Sequence, residues 1–178
     1  WTNYLMGMVR YRDNDAAPMK VLAQGLPGLN SLDFDRRNGK LYASQVFLGD
    51  ALWEIDREGV KPPRLIAKDL GGFNGFEVGP DGMLYGPLWF KNSVAKVDPA
   101  TGQITVINSE FKIPAAANLD GKGHLWVVDT VTGELSKVAL ATGRKTVVAQ
   151  LATALDNLAI APDNGLIYVS NMADNAVI

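Results

Sequence analysis

The chain has 178 residues, 47% of them hydrophobic, 20% charged and 8% aromatic, with 18 Gly, 9 Pro and no Cys. With 17 Lys and Arg against 19 Asp and Glu, the formal net charge is −2, which offers no broad electrostatic footprint for nucleic acid or an anionic membrane. No apolar run approaches the roughly 20 residues of a transmembrane helix, so membrane insertion is not expected, and the lack of Cys excludes a disulfide framework, a thiolate zinc site and a Cys nucleophile.

The chain opens on Trp1, and Tyr4 to Val9 and Met19 to Ala23 read as the third and fourth strands of a unit already under way. Four segments then line up: Leu29-Asn30-Ser31-Leu32-Asp33-Phe34, Phe73-Asn74-Gly75-Phe76-Glu77-Val78, Pro114-Ala115-Ala116-Ala117-Asn118-Leu119 and Leu155-Asp156-Asn157-Leu158-Ala159-Ile160. Each runs through a Gly-containing turn into a second strand ending in an aromatic, which is a β-hairpin signature. Those aromatics fall at 42, 85, 126 and 168, in steps of 43, 41 and 42. A second hairpin follows each first one: Ala51–Asp56 with Pro63–Ala67, Ser93–Asp98 with Ile104–Ile107, and Glu134–Val138 with Thr146–Ala149. Four strands at this spacing predict an all-β protein, a β-propeller of four-stranded blades in a single domain over residues 1–178. A β-sandwich also uses short strands, but it does not require one self-similar unit at a fixed step. No stretch of 10 or more residues carries a capped 3.6-residue apolar period, so helix content near zero is expected.

A propeller aims the starts of its innermost strands at the mouth of a central channel. Antiparallel order brings the loop between second and third strands to the same face. Two sets should therefore converge. The first is Asn30, Asn74, Ala115 and Asp156, where three of four positions carry a side-chain oxygen suited to a hard cation such as Ca²⁺. Asn and Asp also cap turns before strands in their own right. The second set is the loops Gln45–Leu48, Pro87–Phe90, Asp129–Val131 and Asn171–Ala173, in which Phe47, Trp89 and Phe90 suit a pocket for an apolar or ring-shaped ligand, unless they pack between blades. His124, the one histidine, falls at the opposite face, which argues against a Ser-His-Asp triad or a His-rich metal site. Gly71-Gly72 and Asp120-Gly121-Lys122-Gly123 read as loop chemistry without a phosphate-binding spacing. Arg36-Arg37 read as solvated turn residues.

Phe73-Asn74-Gly75-Phe76-Glu77-Val78-Gly79-Pro80-Asp81-Gly82 and Leu155-Asp156-Asn157-Leu158-Ala159-Ile160-Ala161-Pro162 resemble the senescence-marker-protein/gluconolactonase superfamily, which includes relatives of paraoxonase and diisopropyl fluorophosphatase. The resemblance implies a six-bladed propeller and a lactonase, esterase or phosphotriesterase activity, with a divalent cation, usually Ca²⁺, at the channel mouth. It implies Asn74 and Asp156 as metal ligands, Asp156 also as a catalytic nucleophile or base, and Asn30 and Asn157 on the substrate side. Two positions depart from the pattern. Ala115 stands where an Asn ligand is expected, and Gly72 stands where sugar lactonases carry Arg. Asn118, three residues beyond Ala115, should point to the other face by strand alternation.

The expected function is a metal-dependent hydrolase of the lactonase or esterase type acting on a small molecule, the cation polarising the carbonyl or phosphoryl oxygen. The alternative is a catalytically silent propeller that binds a small molecule or a protein partner at the same face. A propeller lyase of the streptogramin type would need His near the mouth. At about 42 residues per unit the chain holds about four blades' worth. It is therefore expected to be a piece of a six-bladed propeller, lacking roughly 100 residues across its ends, or else a four-bladed ring closed by pairing of its terminal strands. Open blade edges would favour self-association. The composition does not set the compartment; many relatives implied by the resemblance are exported.

Overall fold

The computed structural model describes residues Trp1–Ile178 and is built from eighteen strands in five antiparallel sheets. The first sheet contains β1 (Thr2–Asn3), β2 (Met8–Tyr11) and β3 (Lys20–Ala23). The second contains β4 (Leu29–Asp35), β5 (Lys40–Gln45), β6 (Ala51–Ile55) and β7 (Arg64–Lys68). The third contains β8 (Glu77–Val78), β9 (Leu84–Leu88), β10 (Ser93–Val97) and β11 (Ile104–Asn108). The fourth contains β12 (Pro114–Leu119), β13 (His124–Asp129), β14 (Glu134–Ala139) and β15 (Lys145–Gln150). The fifth contains β16 (Leu155–Ile160), β17 (Ile167–Asn171) and β18 (Ala176–Val177). Each sheet is a meander of sequence neighbours, as the hairpin pattern requires, and the sole helical element is one 3₁₀ turn at Trp89–Lys91. No helix is long and apolar enough to cross a membrane.

The protein is an all-β propeller, but the blade count differs from the sequence expectation. Five blades are present rather than four blades' worth of a six-bladed type, because the terminal sheets each form three strands. The first unit is also displaced from the expected bounds. Tyr4 to Gly7 is the turn, and the third strand of that unit is Met8–Tyr11, paired with Thr2–Asn3 on one side and β3 on the other. The closed four-bladed ring does not form: Ile178 exchanges backbone hydrogen bonds of 2.8 and 2.9 Å with Val169 of its own sheet.

The core consists of apolar layers between blades. Val9 and Ala23 meet Leu29, Ala43 and Ile55 between the first two sheets. Tyr42 and Leu52 meet Phe73, Phe76 and Leu84 between the next two. Tyr85 and Val94 meet Ala117, Leu125 and Val127, and Ala116 and Val128 meet Leu155 and Val169. Consecutive residues such as Val127 and Val128 therefore serve opposite interfaces. A strand covered on both faces reads as a continuous apolar run, which is how β13 reads.

Three of the four innermost strands after the first sheet carry a register shift at the same place: between Leu29 and Ser31, between Pro114 and Ala116, and between Leu155 and Leu158. In the third blade the innermost strand is irregular up to Glu77, held by isolated bridges from Phe73 to Leu88 and from Gly75 to Ala116. A bulge adds one unpaired residue and re-aims the side chains around it.

Candidate functional site at the channel mouth

The expected face is formed as the antiparallel order dictates. In four blades the loop after the second strand donates a backbone N–H to the carbonyl just before the innermost strand: Val46 to Gly28, Trp89 to Gly72, Thr130 to Ile113 and Met172 to Ala154, at 2.8 to 2.9 Å. Asn30, Ala115 and Asp156 fall at the bulges, and Asn74 falls in the irregular stretch of the third blade. The structure thus sets these four residues at equivalent places around the mouth. It brings one pair into direct contact: Asn30 Nδ2 donates to Asn74 Oδ1 at 2.6 Å. Asn74 is buried. Because its oxygen already accepts from Asn30, the amide presents Nδ2 as its free group.

Asp156 has a different environment. Its side chain stays open to solvent, yet the protein atoms around it desolvate the carboxyl enough to push it above the usual carboxylate range. No hydrogen bond or ion pair offsets that cost. Asn157, also in the bulge, donates its backbone N–H to Ser170 Oγ at 2.9 Å and lines the channel.

The aromatic residues divide. Phe47 and Phe90 are 49% and 56% exposed, so they do not fill a gap between blades. Phe47 sits edge-on to Trp89 and Phe90, with ring centroids 5.3 and 5.5 Å apart and interplanar angles of 79° and 88°. Trp89 is half-buried against the cluster that includes Ala115, Ala116 and Leu155. Indole carbon thus lies where a polar ligand set would be needed.

A cation of the Ca²⁺ type takes six to eight oxygens. At this mouth Asn30, Asn74 and Asp156 offer three side chains with oxygen, one of them already accepting a hydrogen bond, and Ala115 has no donor atom, so the side chains fall short of the oxygens such a cation takes. No three His, Cys, Asp or Glu side chains gather into a metal cluster anywhere in the chain. This donor set does not fit such a cation.

The channel itself is a cavity of about 540 Å³ lined by the innermost strands of four blades. Its polar groups were not legible as site residues. Asp33 Oδ2 accepts from Val78 N at 2.7 Å, and Glu77 Oε2 accepts from Leu119 N at 2.6 Å and Asn118 Nδ2 at 3.1 Å. Each carboxylate satisfies a backbone donor on the next blade's exposed inner edge. The available signal was positional, since Asp33, Glu77 and Asn118 each lie three residues beyond the mouth position of their blade. Asn118 corrects the alternation argument: the extra residue at the Ala115 bulge shifts the pattern by one, so Asn118 lines the channel.

Two further sequence expectations gain detail. Arg37 is, as expected, an exposed turn residue, and it also has a partner. Its Nη2 lies 2.9 Å from Oδ2 of the buried Asp35, and its guanidinium holds that carboxyl below the usual range despite the cost of burial. His124 lies, as expected, at the turn end of β13, where Nδ1 is 3.0 Å from Asp120 Oδ2, remote from the mouth.

No protein-family model matches the chain, and no curated protein matches it. Solved structures do. A chain of a nidogen–laminin complex superposes with a TM-score of 0.79 at 16% identity over 92% of this chain and 64% of that one. Virginiamycin B lyase from Staphylococcus aureus superposes with a TM-score of 0.72 at 13% identity over 99% of this chain and 64% of that one. A luciferin-regenerating enzyme gives 0.72 at 14% identity, over 93% and 64%. The chain therefore spans about two thirds or less of these structures. At such identities the likeness establishes the β-propeller fold alone.

Proposed function

We propose that the mouth of this propeller binds a small molecule and hydrolyses an ester or lactone bond in it, with Asp156 as general base. The observation that carries the reading is Asp156 itself, an exposed carboxylate without a partner at the bulge of its innermost strand, shifted upward by the protein around it. A base with a raised pKa takes protons from water more readily near neutrality than an ordinary carboxylate does. Asp156 accepts a proton from a water as that water's oxygen bonds to the carbonyl carbon. Asn74 Nδ2 is the group available to donate to the oxyanion that forms, its orientation fixed by Asn30. Collapse breaks the carbon–oxygen bond, and the proton on Asp156 passes to the departing alkoxide. Asn157 lines the channel cavity, and the Phe47–Trp89–Phe90 cluster on the mouth loops is assigned to the apolar part of the substrate. Enzymes among the structural neighbours, a lyase and a luciferin-regenerating enzyme, are compatible with chemistry on such a scaffold.

The second reading, a silent binding propeller, is favoured by one observation, the Ala at position 115. A screen of aryl and alkyl esters and lactones, with Asp156→Asn as the control, separates the two. Hydrolysis that falls about 100-fold or more in Asp156→Asn is expected. Binding without turnover in the unsubstituted protein would overturn the hydrolase reading. Millimolar Ca²⁺ is expected to leave the melting temperature unchanged. A Ca²⁺-dependent rise that disappears in Asp156→Ala would show that a cation does occupy the mouth and would overturn the metal-free form.

A further inference from the structure

The aromatic wall is held in place by a device spanning two blades. Asp50, in the loop that follows Phe47, accepts from Gly71 N at 2.8 Å through Oδ2 and from Gly72 N at 3.1 Å through Oδ1. Those two glycines carry the other rings. Trp89 N donates to Gly72 O, and Phe90 N to Gly71 O, both at 2.9 Å. Gly72 has φ +76°, and a Cβ there would stand 2.7 Å from Phe90 Cδ2 and 3.2 Å from Trp89 Cβ. The ring of Phe90 thus lies against bare backbone, and a side chain at position 72 would force the ring to shift. Phe47 has φ 69°, a conformation that bulky residues rarely adopt. Strain of that kind persists only where surrounding contacts impose it, and it concentrates at ligand clamps.

The cluster is thus constrained on every side and still leaves Phe47 and Phe90 about half exposed. Its inner end is Trp89, packed on the layer that includes Leu155, next to Asp156. Aromatic rings offer a negative face and a positive edge, and an added flat ring gains from both. We propose that Phe47, Trp89 and Phe90 form a seat for an aromatic ring of the ligand, and that Asp50 is its positioning residue. The inference rests on the mouth being the small-molecule site, and it narrows the substrate class to aromatic esters or lactones.

The test is direct binding of 2-naphthol, followed by tryptophan emission and assigned with Trp89→Phe, against its fully saturated decalin alcohol. Saturable quenching by 2-naphthol is expected. The saturated alcohol should bind about tenfold more weakly, about 1.4 kcal/mol, and Phe90→Ala should lose a similar factor. Asp50→Asn should weaken binding several-fold and raise KM for an aryl ester without changing kcat, while Asp156→Asn leaves 2-naphthol binding intact. Phe90 is a surface residue, so its variant folds, and the measurement does not depend on turnover. Equal affinity for the two alcohols, or unchanged binding in Phe90→Ala, would overturn the seat. Loss of kcat rather than KM in Asp50→Asn would overturn its positioning role. Ring binding without hydrolysis would leave this inference standing and sink the hydrolase reading; hydrolysis without ring preference would do the reverse.

Discussion

Removing the Asp129 carboxylate tests how the mouth is held. Asp129 ends β13 with no exposed surface. Its Oδ2 accepts from Lys112 N at 2.7 Å and Ile113 N at 3.0 Å, and its Oδ1 from Val131 N and Thr132 N, both at 3.1 Å. One side chain thus ties the segment leading into β12 to the loop after β13. Hydrogen bonds to a charged acceptor contribute about 1.5–3 kcal/mol each, and an orphaned buried donor costs about 1–3 kcal/mol. Lys112 and Val131 are exposed and regain water, whereas Ile113 and Thr132 are half-buried and regain less. Two donors left substantially unpaired put the loss for Asp129→Ala at about 3–5 kcal/mol. Asp129→Asn keeps one oxygen for two donors and turns an amino group on the other two, so about half that loss is expected. Urea unfolding resolves the difference as a fall in midpoint at constant slope. At about 2–4 °C per kcal/mol, the melting temperature of Asp129→Ala should drop by roughly 6–20 °C. A loss below about 1 kcal/mol in Asp129→Ala, or an Asn variant as stable as the parent, would refute the assignment.

Asp156 makes a paired prediction about pH. Burial raises its folded pKa, so the folded state holds the proton more tightly than the unfolded chain, and stability falls as pH rises from the ordinary carboxylate range through the raised value. Asp156→Asn should therefore melt higher than the parent at neutral pH, with the difference vanishing in acid. Turnover should fall as pH drops through that same raised value. A parent and variant with identical melting profiles across pH would contradict the burial argument. At the channel edge, Glu77→Gln should cost about 1 kcal/mol and Glu77→Ala about 1.5–3 kcal/mol, read by urea unfolding, because Leu119 N loses its charged acceptor. An Ala variant as stable as the Gln variant would remove the inter-blade role given to Glu77.

The repeat was legible because each blade must bury both faces of its middle strands and turn at the same places. Aromatics at 42, 85, 126 and 168 and glycine turns such as Gly102 and Gly143, both at positive φ, express that demand in every unit. The mouth positions were legible for the same reason: Asn30, Asn74, Ala115 and Asp156 occupy one slot in four copies. The bulges were not legible. A bulge adds one unpaired residue without a mark in composition, so alternation assigned Asn118 to the wrong face. Links between blades were also hidden. The Asp50 clamp on Gly71 and Gly72 joins residues 21 and 22 apart, and the Glu77 bond to Leu119 joins residues 42 apart. Such bonds depend on how sheets stack, which no local pattern encodes.

The carboxylates of this fold show why Asp156 carries the functional reading. A part-buried carboxylate is normally compensated by donors or a cation. Asp33 takes Val78 N, Asp35 takes Arg37, Asp50 takes two glycine amides, Glu77 takes Leu119 N, Asp120 takes His124 N, and Asp129 takes four backbone donors. Asp35 and Asp120 are held below the usual range in consequence, although burial acts against both. Asp156 is the one whose carboxyl shifts the other way, with burial as its cause and nothing to offset it. A fold that supplies a partner to each of the others has the means to supply one here; the equivalent slot in the fourth blade shows that Ala serves the architecture equally well. The unpaired acid is therefore a feature that the scaffold does not require. A ligand or reaction that uses the proton accounts for it, and Asp156→Asn, more stable and inactive, is the variant in which both consequences should appear together.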